Sequence, residues 1–382
     1  MDYVNFGIVG CGMAGSFHIL GVKKRLDMKI RYIAACDVNK RNLKRFTRRN
    51  KVKAYSNIQD FLKDDEIEAV LLAVPHYLHA PLTKKVAEAG KHVLCEKPMA
   101  PTLEECDVMI NATKEAGVKF MIAENHRFLP AHQYIKDCLE RNIIGDIYLG
   151  RTYEGAFCET SQFLDPSTWN FRYDQGGGGV VADQGVHKFS ILNWFLGEVD
   201  SAQCWCGKAL PSPDVKGEDN AIVLLRYKNG AMVDVVVSSI TIHPLNNNTE
   251  LHGTNGTILE DHSWDNPVKI FSAHESAEKK GEYYTPSTPI EHGPYPKYYT
   301  ISARYEDSHF ADCILNNKDP DFSPEQAKEA VAVVLLAYLS TKNGRMTSMD
   351  ELKEIYENLG TKSILQGLNK VVQKNYRSIQ WK

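Results

Sequence analysis

The first third of the chain alternates short apolar runs with amphipathic stretches, and this alternation constrains the fold more than any other feature of the sequence. The apolar runs have the uninterrupted character of strands that are covered on both faces of a parallel sheet. They lie at 3–9, 30–36, 69–74, 92–95 and 119–123. Helical stretches at 81–89 and 103–116 are each followed by a helix-stopping glycine, Gly90 or Gly117. This repeated alternation predicts a doubly wound α/β domain.

The chain changes character after about Asn125, and its 382 residues exceed the size at which one core usually keeps growing. Further strand candidates then follow one another without long helices between them. They lie at 148–156, 202–207, 221–227 and 231–240. The turn Lys228-Asn229-Gly230 joins the last two as a hairpin. We therefore predict a second domain of the α+β class with a large, mostly antiparallel open sheet.

The predicted division of the chain is one domain at 1–125 and a second at 126–382. Residues 246–300 are rich in Asn, Gly, Pro and Tyr, which favours hairpins and loops, and 325–340 predicts a helix. We expect the C-terminal helices to pack back on the first domain. The basic tail at 370–382 is interpreted as a solvated helix end.

The overall composition excludes several classes of protein. The formal net charge of −3 provides no basic field, which argues against a nucleic-acid partner. No apolar segment approaches the ~20 residues that a membrane-spanning helix needs, and the N-terminus has no features of a secretory signal. We therefore expect a cytoplasmic protein without a membrane partner.

The nine cysteines are scattered and form no C-x-x-C pair, which favours buried thiols over disulfides. Cys204 and Cys206 stand two apart on a predicted strand, where a metal or redox role is the alternative to burial. No His or Cys pair has the spacing of a zinc site, so we expect no metal.

A glycine fingerprint follows the first predicted strand. Residues 10–15 read Gly-Cys-Gly-Met-Ala-Gly, which fits G-x-G-x-x-G between an apolar run and a helical stretch. In this motif Gly10 permits a tight turn, Gly12 lets a pyrophosphate approach the backbone, and Gly15 allows close helix packing. The anionic diphosphate then lies at the positive end of the helix.

An acidic residue supports the dinucleotide interpretation. Asp37 ends the next predicted strand, 22 residues after Gly15, where a carboxylate can bind the adenosine ribose hydroxyls. A carboxylate there repels a 2′-phosphate and so favours NAD, whereas nearby Lys40 and Arg41 leave NADP as the alternative. The first domain is therefore predicted to be a Rossmann NAD-binding domain.

Two further segments carry a resemblance to a known family: Glu96-Lys97-Pro98, and the glycine run 176–179 that leads to Asp183 and His187. Together with 10–15, the stretches 89–98 and 177–187 are similar to motifs of the Gfo/Idh/MocA oxidoreductases, named for glucose–fructose oxidoreductase and inositol dehydrogenase. The segment 323–345 is similar to the family's closing helix. The resemblance covers most of the chain and is specific for family and fold, but not for substrate.

Three residues are candidates for the chemistry. Lys97 follows a strand at the sheet edge where open α/β folds bind ligands, and Pro98 restricts its backbone. Asp183 and His187 are four apart in a helical stretch at 180–196, so they would share one face, and the preceding glycines suit close approach to a ligand. The alternatives are an exposed Lys and a surface Asp–His pair. The resemblance implies that Lys97 binds the reacting oxygen, that His187 is the general acid/base, and that Asp183 contacts substrate hydroxyls.

The remaining site predictions concern the cofactor and the substrate. Cofactor contacts are expected from Gly10, Gly12, Met13, Ala14, Gly15, Asp37, Arg41, Ala73, Pro75, His76, His79, Glu96, Lys97 and Asn125. Substrate contacts are expected from Lys97, His126, Arg127, Trp169, Arg172, Asp183 and His187. The family more often has Asn where this chain has His76.

These features predict an NAD-dependent oxidoreductase that moves hydride between nicotinamide and a secondary hydroxyl of a sugar, glycoside or cyclitol, with C3 of a glycoside as the first candidate. Two alternatives remain open: a redox-neutral glycosidase that retains its NAD, and a non-catalytic, sugar-responsive regulator. The resemblance implies a homodimer or homotetramer formed through the second domain's sheet, whose bare face would otherwise be a large apolar patch.

Overall fold

The computed structural model describes residues 3–23, 28–155, 169, 171–209, 217–241, 247–293 and 297–374. The chain divides into two compact units. The first consists of Met1–Ala100, Glu104–Phe128 and Tyr299–Lys328, and the second of Pro101–Leu103, Leu129–Tyr298 and Glu329–Lys382. The first unit therefore includes a segment from near the end of the chain.

The first unit contains a six-stranded parallel sheet with the order β3-β2-β1-β4-β5-β6. Its strands are β1 (Val4–Val9), β2 (Ile30–Cys36), β3 (Lys53–Tyr55), β4 (Ala69–Leu72), β5 (His92–Glu96) and β6 (Phe120–Ala123). The helices are α1 (Met13–Val22), α2 (Lys40–Asn50), α3 (Ile58–Leu62), α4 (His79–Glu88) and α5 (Leu103–Glu115). The predicted doubly wound α/β fold is confirmed. The sequence missed β3, a three-residue edge strand with no apolar run.

A helix that the sequence did not predict completes the first unit's core. It is α8 (Lys297–Leu315), and it begins inside the segment 246–300 that was predicted to be hairpins and loops. Phe310 of α8 is fully buried and its ring meets Phe6 of β1 edge-on at 6.1 Å. The buried face of α8 also carries Glu306 and Asp307, and these polar residues interrupt the apolar periodicity on which helix prediction depends.

The second unit contains a nine-stranded sheet with the order β14-β13-β12-β11-β7-β10-β9-β8-β15. Only β7 and β10 pair in parallel; the other neighbours are antiparallel, as predicted. The strands are β7 (Ile147–Gly155), β8 (Val199–Gly207), β9 (Asn220–Tyr227), β10 (Met232–Ser238), β11 (Asn247–Gly253), β12 (Gly256–Asp261), β13 (Val268–Ser272), β14 (Tyr283–Tyr284) and β15 (Thr347–Ser348). The helices are α6 (Pro130–Glu140), α7 (Val186–Leu196), α9 (Pro324–Asn343), α10 (Met349–Asn358), α11 (Lys362–Leu365) and α12 (Leu368–Lys374).

The two faces of this sheet differ. Along β9, Val223 and Leu225 are buried, while Ile222 and Leu224, which alternate with them, are 47% and 42% exposed. One face of β9 therefore packs against the unit's own core, and the other face of this strand exposes apolar side chains. The interpretation of 370–382 as a solvated end is wrong at Val372, which is fully buried, and residues 375–382 lie outside the described residues. Among the described helices, none has the length and apolar character to cross a membrane.

Candidate active site

The glycine turn after β1 has the geometry that its sequence predicts. Gly10 has a φ of +102°, and a Cβ there would overlap the carbonyl oxygen of Ala73. A Cβ on Gly15 would overlap the carbonyl oxygen of Gly10. Gly12 differs, because a Cβ there would meet no described atom within 4 Å. The space beside Gly12, at the exposed N-terminus of α1, fits a dinucleotide diphosphate.

Asp37 lies beside this turn at the end of β2. Its Oδ2 accepts a hydrogen bond from the backbone N of Cys11 at 2.8 Å, and its Oδ1 accepts one from the backbone N of Asn39 at 2.7 Å. The structure thus brings the predicted ribose-binding carboxylate and the glycine turn together. Arg41 is exposed in the first turn of α2, and its contact with a cofactor stays a prediction.

The loop after β4 holds four predicted cofactor contacts. Ala73 and Pro75 are half-buried, and His76 is buried. His79 is fully buried, with Nδ1 2.9 Å from the carbonyl oxygen of Pro98 and Nε2 3.0 Å from that of Val74. Both ring nitrogens of His79 therefore face the protein's own backbone. We correct its predicted role accordingly: His79 joins two loops and offers a cofactor no free ring nitrogen.

The loop after β5 carries Lys97. The Lys97–Pro98 peptide bond is cis, and the Lys97 side chain is half-buried. Glu96 was predicted to contact the cofactor, but its carboxylate is engaged within the unit. Its Oε2 accepts a hydrogen bond from the backbone N of Lys97 at 3.1 Å, and its Oε1 lies 3.2 Å from Nε2 of His18.

A buried chain of polar groups continues from Glu96 into the core. Nδ1 of His18 lies 2.7 Å from Oδ1 of Asp307, whose Oδ2 accepts a hydrogen bond from the Tyr32 hydroxyl at 2.8 Å. Burial alone would lower the pKa of His18, but the carboxylates of Asp307 and Glu96 outweigh it and raise that pKa well above its usual value. An imidazolium between two carboxylates thus fixes the backbone from which Lys97 extends. Sequence reasoning missed this chain because Asp307 lies on the unpredicted helix α8.

The segment after β6 is buried. Asn125 donates a hydrogen bond from Nδ2 to Oγ of Ser302 at 3.0 Å, and His126 is fully buried. The Arg127 guanidinium lies 4.3 Å from the Phe322 ring centre and is 4% exposed. Arg127 therefore packs as a cation on an aromatic ring of its own unit, and its contact with substrate stays a prediction.

In the second unit, the glycine run before α7 is filled by the chain itself. A Cβ on Gly178 would overlap the Tyr338 hydroxyl, and one on Gly179 would overlap the backbone of Glu218. The sequence predicted that a ligand approaches these glycines, and this interpretation is wrong at both positions. Their missing side chains make room for protein atoms.

Glu218 is the centre of this arrangement, and sequence reasoning missed it. The fully buried carboxylate accepts hydrogen bonds from the backbone N of Gly179 and Val181, both at 3.1 Å. It also accepts them from the hydroxyls of Tyr173 at 2.8 Å and Tyr338 at 2.7 Å. Burial raises the pKa of Glu218 against the opposing effect of these donors. The start of the helix that carries the predicted catalytic pair is therefore fixed.

Asp183 and His187, the predicted catalytic pair, lie just after Gly179 in the chain. Val181–Gly185 forms a π-helical turn, and α7 continues from it. The four-residue spacing therefore spans a wider turn than the α-helical turn assumed from the sequence, a kind of bulge that is frequent at functional sites. Asp183 is half-buried and His187 is buried. Next in the chain, Lys188 is fully buried with Nζ 3.5 Å from Oε2 of Glu154 on β7, which fixes α7 to the sheet.

The two predicted wall residues of the sugar site remain predictions. Trp169 is half-buried, and 156–168 beside it lie outside the described residues. Arg172 is also half-buried, and its guanidinium contacts both carboxylate oxygens of Asp174 at 3.2 and 3.3 Å.

Comparison with known families decides the identity of the chain. Residues 4–124 match the family model for the oxidoreductase family with an NAD-binding Rossmann fold. Residues 132–259 match the model for the GFO/IDH/MocA C-terminal domain. The chain belongs to the Gfo/Idh/MocA family. It is thus an oxidoreductase of that family with an NAD-binding Rossmann unit, as the resemblance predicted.

Among curated Gfo/Idh/MocA relatives, an uncharacterized oxidoreductase, YrbE of Bacillus subtilis, is 26% identical over 91% of this chain and 97% of its own length. Levoglucosan dehydrogenase of Pseudarthrobacter phenanthrenivorans is 27% identical over 78% of this chain and 84% of the relative. Myo-inositol 2-dehydrogenase of Thermotoga maritima is 26% identical over 91% of this chain and 99% of the relative.

Solved structures show the same fold. Levoglucosan dehydrogenase in complex with NADH and levoglucosan superimposes with a TM-score of 0.81 at 22% identity, over 91% of this chain and 100% of that structure. The WlbA dehydrogenase of Bordetella pertussis in complex with NADH and UDP-GlcNAcA gives a TM-score of 0.77 at 23% identity, over 91% and 98%. Identities this low establish the shared fold and leave the substrate open.

Proposed function

We propose that this Gfo/Idh/MocA protein is an NAD-dependent dehydrogenase that moves hydride between nicotinamide and a secondary hydroxyl of a sugar, glycoside or cyclitol. One observation carries the proposal: the open space at Gly12 and the ammonium-bearing loop at Lys97 occupy the same edge of one parallel sheet. They follow β1 and β5, which both neighbour β4, so the carboxyl ends of all three strands lie together. Relatives named levoglucosan dehydrogenase and myo-inositol 2-dehydrogenase support a polyol substrate.

The preference for NAD over NADP rests on Asp37. Two backbone N–H groups, those of Cys11 and Asn39, hold this carboxylate beside the glycine turn. A fixed carboxylate accepts hydrogen bonds from ribose hydroxyls and repels a 2′-phosphate. The exposed Arg41 offsets that repulsion only in part.

The chemistry divides among three side chains. When bound, the nicotinamide supplies the carbon that accepts hydride. His187 accepts the proton of the substrate hydroxyl, a role that imidazole performs well because its ordinary pKa lies near neutral pH. Lys97 stabilises the negative charge that develops on the same oxygen, and Asp183 orients the polyol through its hydroxyls.

The test is a screen of polyols and glycosides with NAD and NADP separately, monitored by NADH or NADPH absorbance. We expect at least one polyol to give stoichiometric NADH with NAD. Denatured protein is assayed in parallel for cofactor that copurifies. Glycoside cleavage without net NADH would indicate the redox-neutral glycosidase, and NAD binding without turnover of any polyol would indicate the regulator.

We also propose that the protein forms a homodimer or homotetramer through the open face of the nine-stranded sheet. Trp205, Ile222 and Leu224 are 53%, 47% and 42% exposed, and Trp205 pairs directly with Ile222 across β8 and β9. An exposed apolar patch of this kind on a sheet is a typical association surface. Sedimentation of the wild type should give a dimer or tetramer, and Ile222→Lys should shift it toward monomer; a monomeric wild type would contradict the proposal.

A further inference from the structure

A cluster of two imidazoles and one carboxylate lies in the interior of the second unit. His132 belongs to α6, Glu260 belongs to β12, and His262 follows β12 directly. Nε2 of His262 lies 2.9 Å from Oε1 of Glu260, and Nε2 of His132 lies 3.7 Å from Oε2 of the same carboxylate. One nitrogen of each imidazole and one carboxylate oxygen all lie within 4.8 Å of one another.

The cluster is buried, and its carboxylate is poorly satisfied. His132, Glu260 and His262 are 0%, 1% and 7% exposed. Among the residues that the structure describes, three atoms of the cluster make no hydrogen bond of acceptable geometry. They are the two carboxylate oxygens of Glu260 and Nε2 of His262. Polar atoms that are buried without hydrogen bonds cost free energy unless a bound ligand satisfies them.

Aromatic packing fixes the two imidazole rings. The ring of His262 stacks on Tyr298 at 5.3 Å with an interplanar angle of 14°. The ring of His132 meets Phe195 edge-on at 6.3 Å and His262 at 5.7 Å. The nitrogens are therefore oriented toward Glu260 before any ligand binds, and a site built this way loses little conformational entropy on binding.

A second buried cluster in the chain does not offer a comparable set of ligand atoms. His18, Glu306 and Asp307 also lie close together. However, both nitrogens of His18 and both oxygens of Asp307 already contact groups within the first unit. That cluster has too few available ligand atoms for a cation.

We propose that His132, Glu260 and His262 bind one first-row divalent metal ion, with Zn²⁺ as the probe. Bonds of ~2.0–2.2 Å in a tetrahedral site place ligand atoms about 3.4 Å apart, and the observed 2.9 and 3.7 Å lie on either side of that separation. Two imidazoles with a carboxylate suit zinc and its neighbours, whereas Ca²⁺ and Mg²⁺ prefer oxygen ligands alone. The bound ion would connect α6 to β12 and leave one coordination position for water.

This metal site is independent of the proposed hydride transfer. No sequence motif indicates it, because His132 is far from Glu260 and His262 along the chain, and short ligand spacings are what a sequence reveals. The sequence-based expectation of no metal rested only on the short spacings between His and Cys residues.

The test is calorimetric titration of Zn²⁺ into the full-length, tag-free protein after treatment with a chelator. We expect one equivalent to bind, and Co²⁺ to give the visible absorption bands of a low-coordinate nitrogen–oxygen site. Glu260→Gln and His132→Asn, which retain most of the side-chain volume, should each weaken binding by at least about tenfold, while circular dichroism reports an intact fold.

The matched control is the half-buried pair His252 and Glu250 on β11, whose side chains lie 3.8 Å apart. His252→Asn should leave the Zn²⁺ stoichiometry and affinity unchanged. Absence of stoichiometric binding to the wild type would overturn the proposal. Equal binding by the wild type and both cluster variants would also overturn it, because the ion would then lie elsewhere.

Discussion

The two glycine-rich turns of this chain look alike in sequence and differ in what lies beside them. Each leads into a helix that carries predicted site residues. Beside Gly12 the space is open, whereas the space beside Gly178 and Gly179 is filled by Tyr338 and Glu218. A run of glycines therefore indicates a close approach to the backbone without saying whether a ligand or the protein makes that approach.

The largest expected effect concerns the helix after the filled turn. His187→Gln keeps most of the side-chain volume but removes the proton acceptor, so turnover of the best polyol should fall by about 10²–10⁴-fold. The affinity for NAD should stay within about twofold of the wild-type value, because proton transfer to His187 is not part of cofactor binding. Steady-state kinetics and calorimetry measure the two quantities. His252→Gln, a half-buried position on β11, is the matched control, and unchanged turnover in His187→Gln would remove the assignment.

A side chain added at Gly12, in the open turn, should weaken the binding of NAD. Gly12 has a φ of −82°, which any residue adopts, and no described atom lies within 4 Å of the position that a Cβ would occupy. Gly12→Val should therefore fold normally and bind NAD at least about tenfold more weakly, a loss of about 1.4 kcal/mol or more. Calorimetry measures the affinity and urea unfolding the stability. Wild-type affinity in this variant would mean that the space at Gly12 is not used.

A side chain added at Gly178, in the filled turn, should instead lower the stability of the protein. Gly178→Ala places a methyl group against the Tyr338 hydroxyl, and overpacking of this kind costs about 1–3 kcal/mol of unfolding free energy. NAD affinity should not change. Urea unfolding measures the loss of stability, and calorimetry measures the affinity for NAD. Loss of NAD affinity without loss of stability would contradict the distinction between the two turns.

The smallest effect is a pH dependence at His18. Its pKa is raised in the fold, so the stability that its interactions contribute is fully present below its ordinary pKa of about 6.5. That contribution is lost as pH rises through the raised pKa. Urea unfolding of the wild type and His18→Gln should show a difference that is largest near about pH 6 and shrinks at higher pH. A difference that grows with pH would reverse the sign of the proposed interaction.

The parts of the molecule that the sequence predicted are local. Five of the six strands of the first sheet and the fingerprint at 10–15 each depend on a few consecutive residues, and the structure reproduces them. Helix α8 was missed because its buried face includes Glu306 and Asp307, which have no place in an apolar period.

The site residues that were missed act over long distances in the chain. Asp307 contacts His18, and Glu218 bonds the backbone at Gly179. Neither contact can be predicted from the sequence, because the role of a buried carboxylate depends on the donors that the fold places around it. Arg127 was predicted to contact substrate from its position near a strand end, and the fold adds a contact with Phe322 that the sequence did not predict.

The most direct test of the central claim is isotope transfer from the best polyol, deuterated at the reacting carbon, to NAD in the presence of the wild-type protein. Direct hydride transfer predicts one deuterium on C4 of the nicotinamide in the NADH formed, detected by mass spectrometry and NMR. Deuterium found in the solvent, or oxidised polyol without labelled NADH, would contradict the account.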